Sequence, residues 1–184
     1  MTRARSVARR RLADGFALID LIFVCGLIGM LCAIALPRLL LAKQAAGAAS
    51  AIGSMRAINS AQLTYALTCG SGFYAPNLST LGVPPIGSNE AFLPPGLSGA
   101  DVVQKSGYTI RLDAEPFAGA PATCNGLAAG AAGRSFRAAA DPTEPNNLRF
   151  FATNAGSLIF ESTSSLFATM PEIGEPPTGH PLTH

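Results

Sequence analysis

Asp20 is the residue that most needs a chemical explanation. It stands near the start of an otherwise apolar run from Phe16 to Leu36, where an unpartnered carboxylate is costly. Near a helix N-terminus the macrodipole favours an anion. The other groups capable of chemistry are sparse. His180 and His184 lie in a Pro-rich C-terminal stretch and read as solvated. Asp113 and Glu115 could pair for acid chemistry, but two acids at a strand end are usually just hydrated. No Ser/His/Asp set contains a histidine on a predicted element, and Gly70-Ser71-Gly72 is too short for a phosphate cradle. The four cysteines show no CxxC spacing, which argues against structural zinc. The residues therefore point away from an enzyme, and no cofactor or metal is expected.

The elements that must position Asp20 come next. The chain has 184 residues, 48% hydrophobic and only 13% charged, which suits one domain plus a membrane segment. Arg3, Arg5, Arg9, Arg10 and Arg11 are five of its thirteen basic residues. Beyond residue 15 eight basic side chains face ten acidic ones, and Lys105, Arg111, Arg134, Arg137 and Arg149 are scattered. Nucleic-acid binding needs clustered cations, so no such partner is expected. A helix over the 21 residues Phe16 to Leu36 would be ~31 Å long, enough to cross ~30 Å of hydrocarbon. The arginines should stay cytoplasmic and place the remainder outside. An ordinary signal peptide cut after Ala35, at the small-x-small site Ala33-Ile34-Ala35, is the alternative. The length of the run, Asp20, and a helical pattern that continues past Ala35 weigh against it. Val24 and Leu31 precede Cys25 and Cys32, so a lipoprotein signal is absent. Cys25, Gly29 and Ala33 form one ridge of small side chains, of the kind that lets helices approach closely in lipid.

Past Pro37, Ile52, Met55, Ile58, Ala61 and Tyr65 recur at spacings of three and four, marking one buried helix face. Arg56, Asn59, Gln62 and Thr64 fall largely off it. Pro37 should bend or loosen the helix without ending it, and Gly70 with Gly72 should stop it. The predicted helix is Phe16 to Thr68. Residues 70–106, rich in Gly, Pro and Ser, read as a long surface connection with one short helical turn. Strand patterns follow at Gly107–Asp113, Arg134–Ala140, Leu148–Thr153 and Ser157–Glu161, the last two flanking the turn Asn154-Ala155-Gly156. Four antiparallel strands packed on the helix make an α+β head. The tail 171–184 reads as extended.

Gly15-Phe16-Ala17-Leu18-Ile19-Asp20, the apolar run behind it and Pro37 together resemble the type IV prepilin N-terminus, shared by pilins and the pseudopilins of type II secretion. The resemblance is specific from Gly15 to about Met55. The stretch AINSAQLTYALTCGSGFYAPNLSTLG, a helix end followed by a Tyr-Pro and Leu-rich loop, adds a less specific match. The resemblance implies that prepilin peptidase cuts between Gly15 and Phe16, discards the leader 1–15 and keeps the helix, and that the new Phe16 amine is methylated. It implies residues 16–36 as transmembrane helix and filament core, 37–69 as its continuation into the head, 70–106 as connecting loop, and 107–170 as the sheet.

The same resemblance supplies a cation for Asp20: the Phe16 amine of a neighbouring subunit, a pairing that would set axial register. The family usually has Glu there, so Asp20 reaches one methylene less far. The implied partners are like or related subunits, prepilin peptidase, an assembly platform with its ATPase, and the inner membrane. A bridge between Cys69 and Cys124 is chemically permitted outside the cytoplasm. Pilin-like proteins often fasten variable loops in this way, and two free buried thiols are the alternative. The major pseudopilin binds calcium in its head, but Glu161, Glu172 and Glu175 are the only acids in the comparable region and make no Asp-rich loop. The expected function is a subunit of a type IV pilus-like filament. The alternatives are a pseudopilin and a membrane-tethered periplasmic binding domain that never polymerises.

Overall fold

The computed structural model describes residues 18–182; Gly15, Phe16 and His184 lie outside the described residues. The chain forms two compact units, the first ending at Leu41 and the second running from Ala42. Helix α1 (Leu18–Thr68) is 51 residues long and has Pro37 inside it. The chain therefore stays helical through a residue that offers no N–H to the carbonyl of Ala33.

In the second unit α1 lies on an antiparallel sheet. Its buried positions include Gly47, Ala48, Ala51, Met55, Ile58, Ala61 and Tyr65, one stripe at helical spacing. Ile52 lies at the margin of the stripe, half-buried, while Ala48 and Ala51 extend its buried line. Small side chains let a helix approach a sheet closely, and Ala138 and Ala140 on the facing sheet are small as well. The sheet runs in chain order, β1 (Val102–Lys105), β2 (Tyr108–Asp113), β3 (Arg137–Pro142), β4 (Phe150–Asn154), β5 (Ile159–Ser162) and β6 (His180–Pro181). The four strands read from the sequence are β2 to β5, and a further strand borders each edge.

Burial alternates strictly along β2, with Tyr108, Ile110 and Leu112 turned inward. On β3 the run Ala138-Ala139-Ala140 is buried throughout. Ala138 and Ala140 join the helix-side core with Phe151, while Ala139 joins a second cluster with Ala152, Phe160, Leu166 and Met170. A strand covered on both faces has no polar alternation to display, which is why β3 is the weakest strand in the sequence.

The stretch 70–106 is more ordered than a surface connection. Asn77 caps α2 (Leu78–Leu81) by accepting the Thr80 N–H at 2.9 Å, and α3 (Pro95–Ser98) begins on a proline. The hairpin β1–β2 turns at Ser106 and Gly107 with φ of 51° and 82°. Positive φ at both central residues is the twist-matched two-residue turn, so Ser-Gly between Val-Val-Gln-Lys and Tyr-Thr-Ile was the local signal for β1. The tail is also fastened: β6 pairs with β5, and the Asn154 amide donates to the carbonyls of Pro171 at 3.0 Å and Gly174 at 2.7 Å.

The end of α1 falls at Thr68, and Gly70 permits a tight chain reversal there. A Cβ on Gly70 would stand 2.1 Å from the Phe73 carbonyl oxygen and 3.0 Å from the Tyr65 ring. Gln62 is the clear departure from the sequence pattern, being fully buried. Its amide donates to the Ala75 carbonyl at 2.8 Å and accepts the Ala75 N–H at 2.9 Å. A polar side chain that saturates a buried peptide group in this way is invisible to hydrophobic periodicity.

Cys69 and Cys124 form a disulfide, with Cα atoms 4.9 Å apart and a sequence separation of 55. It pins the 114–136 insertion to the end of α1. Asn125 holds the same place, donating to Thr80 O at 2.9 Å and Val83 O at 3.3 Å.

Two outcomes follow from this packing. Gln62→Met should lower unfolding free energy by at least about 2 kcal/mol, because both polar groups of buried Ala75 lose their partner; urea denaturation of the detergent-solubilised chain measures it. Cys124→Ser should cost about 4 kcal/mol in the chain-entropy account, and reductant should shift the wild-type midpoint toward that of the variant.

Candidate functional site

Every residue from Leu18 to Lys43 is exposed. Fifteen large apolar side chains lie between Leu18 and Leu41, from Leu18 at 74% exposed to Val24 at 44%. Burying each contributes about 1.5–3 kcal/mol, so the helix surface has on the order of 20 kcal/mol or more to gain by leaving water. The helix is long and apolar enough to cross a membrane, with a mean hydropathy of 2.6 over its most apolar 18-residue window. This surface is the candidate functional site.

Asp20 lies in the first turn of α1, exposed among these apolar side chains. Gly15 and Phe16, the expected cleavage and methylation residues, lie outside the described residues. Cys25 and Cys32 are free and exposed. Cys25, Gly29 and Ala33 share a helix face, and the space around Gly29 is open. A second helix could approach closely along that line.

The remaining candidates do not converge. Asp113 pairs with Arg137 at 2.8 Å, and the Glu115 N–H donates to the Glu172 carboxylate at 2.6 Å. His180 is exposed on β6. Of the acids weighed for calcium, Glu172 also accepts from Ser135 and Glu161 is held by Arg149. Among the described residues no three His, Cys, Asp or Glu side chains gather where an ion could sit.

The basic residues, scattered in sequence, are organised in space. Arg111 on β2 pairs with Asp141 on β3 at 2.5 Å. Its guanidinium also lies 4.5 Å from the centre of the Phe167 ring, and that of Arg137 lies 5.5 Å from the same ring. Arg134 covers Phe117 at 3.8 Å. These cations hold the loops 163–170 and 114–136 in place. Only the sheet register brings Arg111, Arg137, Asp113 and Asp141 together, so their sequence spacing gives no sign of it. Burial raises the Tyr65 and Tyr108 hydroxyls above their ordinary value, although Thr123 and Asn147 respectively offset part of the effect.

No family model, curated protein or solved structure matches this chain.

Hydrogen bonds from Arg149 hold the Glu161 carboxyl below its ordinary value of 4.5. The stabilisation is complete above the unfolded value and disappears as pH falls through the lower folded one. Glu161→Gln should therefore shrink the loss of stability between about pH 6 and pH 3 relative to wild type, read from denaturation midpoints at each pH.

Proposed function

We propose that this chain is a structural subunit of a type IV pilus-like filament. What supports the proposal is the wholly exposed apolar half of α1, in a chain whose other half is the spine of a disulfide-closed head. A surface of that kind needs lipid, other helices, or each in turn. In this account prepilin peptidase cuts between Gly15 and Phe16, the Phe16 amine is methylated, and the helix waits in the inner membrane. The five leader arginines keep the cut site cytoplasmic and the head periplasmic.

Moving the helix from lipid into a bundle of like helices gains little hydrophobic free energy, because lipid tails are as apolar as leucine. Close packing and charge pairing must therefore define the arrangement. The ridge Cys25, Gly29, Ala33 allows close approach. Asp20 supplies the anion and the freed Phe16 amine of the next subunit the cation. An unpaired charge in that core costs several kcal/mol, so a register that leaves Asp20 unmatched is rejected. A platform protein and its ATPase supply the work of extraction from the membrane.

Mass spectrometry of the mature N-terminus tests this directly. A chain beginning at methylated Phe16 is expected, whereas one beginning at Leu36 would refute the proposal. Asp20→Ala should be cleaved normally yet assemble at least tenfold less, since one unmatched amine per subunit costs more than about 1.4 kcal/mol; sheared-filament yield reads the effect. Surface fibres lost on deletion indicate a pilus, while retained exoproteins without fibre loss indicate a secretion pseudopilus.

A further inference from the structure

Asn125-Gly126 is the only Asn-Gly pair in the chain. Asparagine is a thermolabile residue, and its side-chain amide is lost when the next peptide nitrogen attacks it. Glycine has no side chain to hinder that approach. The sequence thus places its most reactive amide one residue after Cys124, half of the disulfide.

The fold keeps both reacting groups occupied. The Asn125 amide donates to the Thr80 carbonyl at 2.9 Å and the Val83 carbonyl at 3.3 Å. Its oxygen accepts from the Thr123 hydroxyl at 2.6 Å and from the Tyr65 hydroxyl at 3.4 Å. The Gly126 N–H donates to the Thr123 carbonyl at 3.2 Å. Asn125 therefore ties its own turn to α1 and to the segment that follows α2. The disulfide fixes the same turn covalently, beside a hydrogen bond of 3.3 Å from the Cys124 N–H to the Cys69 carbonyl. Without the bridge the turn is seated by hydrogen bonds and packing alone, and it opens at a lower free energy.

We propose that Asn125 is a latent self-modification site, kept unreacted by the seated turn and released when the Cys69–Cys124 bridge is open. In the opened turn the Gly126 nitrogen bonds to Asn125 Cγ. The Cγ–Nδ2 bond breaks, and ammonia leaves with the proton given up by the Gly126 nitrogen. The cyclic imide so formed takes up one water, which opens it to aspartate or to its β-linked isomer. Water is the one co-reactant. Neither product restores the contact, because a carboxylate has no hydrogen to offer the Thr80 and Val83 carbonyls and leaves them without a partner. The isomer also adds a methylene to the backbone. A chain that stays reduced is thereby converted irreversibly into one that seats this turn poorly. The proposal is independent of the helix-mediated assembly described above.

The full chain in detergent tests it, held at mildly alkaline pH with and without a phosphine reductant. Peptide mass spectrometry follows the amide-to-acid mass gain at residue 125. Reduction should speed conversion at least about tenfold, a factor set by how often the turn opens, and Gly126→Val should suppress it in the reduced chain. Equal rates in the bridged and reduced chains overturn the proposal, as does conversion undiminished by Gly126→Val. If lost near-ultraviolet circular dichroism shows that reduction unfolds the whole head, Thr123→Val with the bridge intact decides. That change removes the hydroxyl contacts to Asn125 and to the Leu127 N–H; faster conversion then supports the proposal and an unchanged rate refutes it. Asn125→Asp, which has the product's side chain, should lower the urea midpoint of the bridged chain, and an unchanged midpoint refutes the unseating of the turn.

Discussion

The seating of the alanine-rich half of α1 on the sheet is the contact on which the rest of the head depends. Ala48, Ala51, Met55, Ile58, Ala61 and Tyr65 meet Tyr108, Ile110, Ala138, Ala140 and Phe151 in one core. The larger side chains, Tyr65, Met55 and Phe151, fill the space left by the small ones. Three loops are then secured to that pair of elements by specific polar contacts: Gln62 to Ala75, Asn59 to the Ser157 carbonyl at 3.3 Å, and Asn154 to the tail. A helix interrupted inside this segment would release the sheet and the loops together.

The chain divides its labour by side-chain chemistry along a single helix. From Leu18 to Leu41 the surface is largely apolar and wholly exposed; from Gly47 onward one face is buried. Neither property suits the other's task. A uniformly greasy helix has no polar face to turn to solvent beside a sheet, and an Ala-rich amphipathic one would be poorly held in lipid. Lys43, paired with Glu144 at 3.2 Å, stands near the changeover. Both partners are largely exposed, so the pair contributes little to stability.

Much of this was legible in the residues because it rests on periodicity. The stripe from Met55 to Tyr65, the helix end at Thr68, the alternation of β2 and the hairpin at Asn154-Ala155-Gly156 are local patterns. The α+β class followed from their order. What periodicity does not encode was missed. Gln62 is polar and buried because it serves one peptide group, β1 is short and depends on its turn, and the tail is fastened by partners far away in sequence. The apolar helix was equally plain as a candidate site. The Arg111–Asp141 and Arg137–Asp113 pairs needed the strand register before they could be seen at all.

The disulfide has a consequence for order in time. A chain delivered N-terminus first presents Cys69 well before Cys124, and the two are 55 residues apart. In that interval the only earlier thiols are Cys25 and Cys32, both on the apolar half of α1. Once that half lies in hydrocarbon its thiols are out of reach of aqueous oxidants. Lipid would then act as a protecting group, leaving one productive pairing among four sulfurs and no need to shuffle wrong ones.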